Sequence, residues 1–164
     1  AENHVIHFTL LTLTDVDVAA LLEARADLLF ATPRARGISC SLSCHPGGHV
    51  VAADPDALVR VLLNLIDSAL AATQGRPEPS IAMEVRSGGG HTIVSVSDNG
   101  SGIPSSVLPN IFQPLFTTRA EGTGMGLAIV QKLMLRMNGV AAVQSVLDQG
   151  TVVELRFPKG APSP

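Results

Sequence analysis

Three short stretches carry residue types suited to a phosphate-bearing ligand. The first is Asp98-Asn99-Gly100-Ser101-Gly102-Ile103-Pro104, directly after a strand-like run. A carboxylate where a buried strand opens into a loop can accept a hydrogen bond from an exocyclic amine. Adenine offers one at N6, whereas guanine has a carbonyl there and is repelled. A buried acid left unpaired costs about 1–3 kcal/mol or more, enough to enforce a base preference. Gly100 and Gly102 let backbone approach a ligand. Alone, the stretch fits a surface Asn-Gly turn equally well. The second is Gly122-Thr123-Gly124-Met125-Gly126-Leu127, at the mouth of a predicted helix. Unpaired N–H groups at a helix start bind phosphate. The glycines follow a long loop rather than the first strand of a parallel unit, which argues against a dinucleotide fold. The absence of Gly-Lys-Ser/Thr excludes a P-loop. A tight helix entry explains this stretch alone as well. The third is the pair Asn64 and Ser68, four apart and so on one helix face. Two short polar side chains there could hold a metal-bound phosphate; alone, the pair suits a solvated face better.

These stretches need elements to position them. Residues 5–13 read as an edge strand, and Asp15 or Asp17 can cap a helix from Val18 to about Ala31. Ile38–Cys44 reads as a strand, Pro46-Gly47-Gly48 as a turn, and His49–Ala53 as a short returning strand. Asp54-Pro55-Asp56 is a strong helix start: a capping Asp, a Pro at the first helical position, then an acid in the first turn. Leu58, Val61, Leu62, Leu65, Ile66 and Ala69 then form one apolar stripe, ending near Thr73. Ser80–Arg86 and Thr92–Ser97 are strands of a hairpin. Residues 98–124 form a long irregular loop, usually a functional feature in a compact domain. Gly126–Met137 reads as a helix, stopped by Gly139; Val140–Leu147 and Thr151–Phe157 form a last hairpin. The order implies an α/β two-layer sandwich (α+β): a mixed, mostly antiparallel sheet covered on one face by three helices, with a long loop acting as a lid.

A net charge of −3 without a Lys/Arg cluster argues against nucleic acid or an anionic membrane as partner. With no Trp or Tyr and five Phe, the chain also lacks rings for stacking bases. No apolar run approaches the ~18–20 residues of a membrane span, and the first residues lack the pattern of a signal peptide. A cytoplasmic domain is expected, whether or not its parent is membrane-anchored. Cys40 and Cys44 are expected to be free structural thiols on one side of a strand. The five histidines read as ordinary strand-edge residues.

In this order and spacing the stretches resemble the catalytic, ATP-binding domain of bacterial sensor histidine kinases, in the GHKL superfamily shared with DNA gyrase. The likeness runs from about Thr14 to Pro158. Leu63-Asn64-Leu65-Ile66-Asp67-Ser68-Ala69 resembles the N box, Asp98 to Pro104 the G1 box, and Ile111-Phe112-Gln113-Pro114-Leu115-Phe116-Thr117-Thr118 the F box of the lid. Gly122 to Leu127 resembles the G2 box, and Gly150-Thr151 the last Gly-Thr of the family. The lid is most similar to that of two-component kinases of the nitrogen-regulator type. The resemblance implies that Asp98 binds the adenine amine with Thr151 and a water nearby. It makes Ile103, Met125 and Leu127 candidates for the base pocket or its rim. Backbone at Gly122, Gly124 and Gly126, with Thr123 between, faces the phosphates. Thr117, Thr118 and Arg119 belong to the lid, Arg119 near the γ-phosphate, and Phe112 anchors the lid.

The implied activity is transfer of the ATP γ-phosphoryl, with Mg2+, to a histidine on a dimerisation domain upstream of this chain, for relay to a response regulator. Residues 1–13 would then be the strand or linker from that domain, 14–158 the ATP-binding domain and 159–164 a disordered tail; the fragment alone would be a monomer. Asn64 and Ser68 are the candidate Mg2+ ligands. Ser68 departs from the family, which has a magnesium-ligating Asn there. That departure motivates an alternative: a degenerate module that binds or senses nucleotide without catalysis. A gyrase-type hydrolase is disfavoured, because Asn64 stands where those enzymes place a general-base Glu. Serine kinases of the anti-sigma type share the same boxes.

Overall fold

The structure, a computed structural model, describes residues 10–112 and 126–159. Its elements in chain order are β1 (Thr14–Asp17), α1 (Val18–Ala35), β2 (Ser39–Cys44), β3 (Val50–Ala53) and α2 (Pro55–Ala72). There follow β4 (Ser80–Gly88), β5 (His91–Asp98), α3 (Gly126–Arg136), β6 (Val140–Val146) and β7 (Gly150–Pro158).

The helix starts follow the sequence closely. Asp17 accepts from the Ala20 N–H at 3.1 Å and Asp54 from the Ala57 N–H at 3.1 Å, with Pro55 at the first position of α2. Each cap satisfies a donor that the first helical turn leaves free. The second oxygen of Asp54 takes the Thr12 N–H at 3.0 Å, so one carboxylate holds both α2 and the incoming chain. At the other end of the chain Asn138, with φ +58°, is the left-handed residue that stops α3. The Gly139 N–H then reaches the Met134 carbonyl at 2.8 Å.

Five strands pair in the order β2-β4-β5-β7-β6, and β1 and β3 form a separate two-stranded ribbon. Only the β2–β4 pairing is parallel in the larger sheet, so it is mixed and mostly antiparallel, as expected. Two local expectations are corrected. Residues 10–13 are not strand; the first strand is Thr14–Asp17, paired with β3. β2 and β3 do not form a hairpin either. The Pro46-Gly47-Gly48 turn sends the chain off the sheet to pair β3 with β1, and β2 instead takes β4 as its neighbour. Apolar alternation identified both strands, but alternation does not name a partner.

The helices cover one face of the sheet. Ile81, Met83 and Val85 of β4, Val94 and Val96 of β5, and Val153, Leu155 and Phe157 of β7 are buried against Leu58, Leu62 and Leu65 of α2 and Met134 of α3. Full burial of each large apolar side chain contributes about 1.5–3 kcal/mol. On the other face Arg86 and Arg156 both pair with Glu154, at 2.9 Å each. Their registers place them on either side of Ile93, which is buried although no helix covers it. Arginine stems shield that side chain while their heads stay wet.

Candidate nucleotide-binding site

Asp98 is the last residue of the central strand β5. Strand alternation puts it on the helix-covered face with Val94 and Val96. It lies opposite Ile81 on one side and Thr151 on the other. The Gly100 N–H donates to its Oδ1 at 2.8 Å. Burial pushes the Asp98 carboxyl above the ordinary carboxylate range, while the N–H groups of Gly100 and Thr151 pull it partly back.

The loop after Asp98 is seated by contacts from three directions. The Ser101 N–H donates to the Ala72 carbonyl at 3.0 Å, at the end of α2. Gly100 permits that approach, since a Cβ there would overlap the same carbonyl. The Asn99 side chain accepts from the Ser80 N–H at 2.9 Å and donates to the Glu78 carbonyl at 2.7 Å. The Ser101 carbonyl, beside Gly102, takes the Asp148 N–H at 2.7 Å. Finally, the Ile103 N–H donates to Ser145 Oγ at 2.7 Å. Ser145 donates to the Gly150 carbonyl at 3.0 Å, so its 2.8 Å bond with the Thr151 hydroxyl is one it accepts. Asp98, Gly100, Gly102, Ile103 and Thr151 are thus brought into one bonded cluster.

Asn64 and Ser68 lie half-buried on α2. With Ala72 they fall at four-residue intervals along one line of the helix, leading to the carbonyl that holds Ser101. Among the described residues the Asn64 side-chain nitrogen, a donor, is buried without a hydrogen-bond partner. Such a donor is costly to leave unpaired. Phe112 is half-buried beside the buried Ile111. Gly126 opens α3, and the half-buried Leu127 packs on the core. Thr117, Thr118, Arg119, Gly122, Thr123, Gly124 and Met125 lie outside the described residues, as do His4, His7 and the tail 160–164.

Several residues of the cluster escaped the sequence reading. Ser145 was legible in principle, because counting back through the β6–β7 turn places it opposite Thr151. Arg76, which reaches both the loop and that turn, carries no local pattern at all. His49 is a further correction: it is buried rather than at a strand edge, donating from Nε2 to the His45 carbonyl at 2.7 Å. Its Nδ1 lies 3.2 Å from the Ser87 hydroxyl. Cys40 and Cys44 are free, half-buried thiols on one side of β2, as expected, and burial pushes both thiols up.

Residues 53–161 match the family of histidine kinase-, DNA gyrase B- and HSP90-like ATPases. The sensor histidine kinase ZraS of Salmonella typhimurium is 36% identical over 149 residues, 90% of this chain and 32% of that protein. The chain therefore spans about a third of the length of such curated relatives. Among solved structures, the catalytic domain of histidine kinase ThkA superposes with a TM-score of 0.79 at 27% identity, over 91% of this chain and 97% of that one. Full-length ShkA in complex with AMPPNP gives 0.77 at 29% identity, over 90% of this chain and 31% of that one. Ordered motifs, sheet topology and these likenesses agree: the chain belongs to the histidine kinase-, DNA gyrase B- and HSP90-like ATPase family, with the α/β sandwich of histidine kinase catalytic domains.

Proposed function

We propose that this chain is the ATP-binding catalytic domain of a two-component sensor histidine kinase. It binds ATP, and the γ-phosphoryl passes to a histidine on a dimerisation domain outside this chain, then to a response regulator. The observation that carries the reading is Asp98. It stands at the end of the central strand on the helix-covered face, with Gly100 on one oxygen and Thr151 across the ladder. Its other oxygen is the acceptor for the adenine N6 amine. The likeness to ShkA, whose full-length structure is a complex with AMPPNP, supports nucleotide binding.

Asn64 and Ser68 would hold Mg2+ through their side-chain oxygens, and the buried Asn64 side-chain nitrogen, a donor, suits a phosphate oxygen beside the ion. When bound, Mg2+ neutralises charge on the phosphate oxygens. Among the described residues no group of three or more His, Cys, Asp or Glu could hold a metal. The protein's own work is positioning: Asp98 orients the base, α2 fixes the phosphate end, and Phe112 anchors a lid that excludes water on closing.

Calorimetric titration with ATP, with and without Mg2+, tests the reading. Binding strengthened by Mg2+ is expected; no binding in either condition overturns it. Phosphorylation of a longer chain that includes the upstream helices, beside its Ser68→Asn variant, then tests catalysis. Labelling of the parent at a comparable rate rules out the degenerate module.

A further inference from the structure

We infer that Arg76 is a positioning residue for the adenine end of this site, acting through the backbone on either side of Asp98 and Thr151. The inference rests on the assignment of Asp98 to the base. Arg76 Nε donates to the Asn99 carbonyl at 3.0 Å, and Asn99 directly follows Asp98. Its Nη2 donates to the Asp148 carbonyl at 2.7 Å, in the turn that leads into Thr151. The Asp148 N–H in turn holds the Ser101 carbonyl. One guanidinium therefore closes a ring through the turn and the loop. Arg76 is itself rooted at the end of α2, where its N–H donates to the Thr73 carbonyl at 3.1 Å. The helix end that seats Ser101 through Ala72 thus also seats Asn99 through Arg76.

The physical need is clear. A loop of sequence Asn-Gly-Ser-Gly has a wide choice of backbone conformations. Only those that aim the Asp98 carboxylate into the pocket bind adenine, and a smaller competent fraction weakens apparent affinity in proportion. The guanidinium fork has fixed geometry, so donors on two segments also fix the spacing between them. A lysine donates from a single nitrogen on a flexible stem and does not fix that spacing. Both bonds end on backbone oxygens around the base site; neither reaches the phosphate end at Asn64 and Ser68.

The test compares ATP with inorganic triphosphate, which presents phosphates without a base. Arg76→Ala is expected to bind ATP about tenfold more weakly, with triphosphate affinity within about twofold of the parent. Arg76→Lys should fall between the parent and Arg76→Ala, and added guanidinium should restore ATP binding to Arg76→Ala. Should Arg76→Ala fail to fold, Arg76→Lys and Arg76→Gln carry the same comparison. Unchanged ATP affinity overturns the inference, as does an equal loss of ATP and triphosphate, which would make Arg76 a general brace. Failure of the parent chain to bind ATP would overturn the site assignment and this inference together; binding by the parent with no selective loss in the variants would overturn this inference alone.

Discussion

Gly150 sits so close to the main-chain carbonyl of Asp98 that a Cβ on it would occupy the carbonyl's place. Its φ of +138° is also one that L side chains rarely adopt. The β6–β7 turn is thereby pressed onto the end of β5, which puts Thr151 and Asp98 side by side.

Gly150→Ala should lose about 1–3 kcal/mol from backbone conformation alone, with a further loss from the overlap. ATP binding should fall with it, because the carboxylate is displaced. Gly48→Ala is the control: a Cβ there meets nothing within 4 Å, and stability should stay within about 0.5 kcal/mol. Urea unfolding followed by ATP titration measures both.

Asp98→Asn separates binding from folding. The Asn oxygen still accepts from Gly100, but the amide cannot accept from the adenine amine. ATP affinity should fall about 10- to 100-fold. Stability at neutral pH should be equal to or greater than that of the parent, since burial already disfavours the charge on Asp98. A variant markedly less stable than the parent would contradict the account of burial.

The same group gives a pH signature. Its folded-state pKa is raised above the ordinary value of an aspartate, which the unfolded chain retains. Between the two values the folded chain holds more protons than the unfolded one, so stability contributed by Asp98 declines as pH rises through that window. Above the folded pKa the cost is constant. ATP affinity runs the other way and weakens as pH falls through the raised pKa, because the acceptor is protonated. Comparing the parent with Asp98→Asn from pH 4 upward, by calorimetry and unfolding, isolates both slopes; identical profiles would refute the assignment.

Asp54 can be divided in the same manner. Asp54→Ala removes the α2 cap and should cost about 1 kcal/mol. Asp54→Asn keeps a capping oxygen but turns an amide toward the Thr12 N–H. It should retain most of the stability while Thr12 exchanges its amide hydrogen faster. Equal exchange at Thr12 in parent and Asn variant would show that the 3.0 Å bond does not persist in solution.

Much of this was legible from residue types. Helix starts were readable because Asp17, and Asp54 with Pro55, act within one turn of themselves. The place of Asp98 at the end of a strand was readable because the apolar run stops there and a glycine loop begins. The failures share a cause. Pairing of β2 with β4, the clamp by Arg76 and the burial of His49 all depend on segments distant in sequence, and local pattern carries no record of which distant segment arrives. Ser145 is the intermediate case: its partner Thr151 lies just across a hairpin, within reach of simple counting.

The single parallel pairing also has a consequence for the order of assembly. β4 with β5, and β6 with β7, can join through tight turns soon after collapse. Ser39 reaches Ser80 only after β3 and the whole of α2 have been laid down between them, a long closure that non-local contacts repay late. We therefore expect the β4–β5 and β6–β7 hairpins to acquire slow amide exchange first during refolding, with the pairings of β2 on β4 and of β5 on β7, each closed across a long stretch of chain, following later. Pulsed exchange labelling would reveal that sequence, and early protection of Cys40 to Cys44 would refute it. Asp98 and Thr151 would then meet only when two preformed hairpins dock.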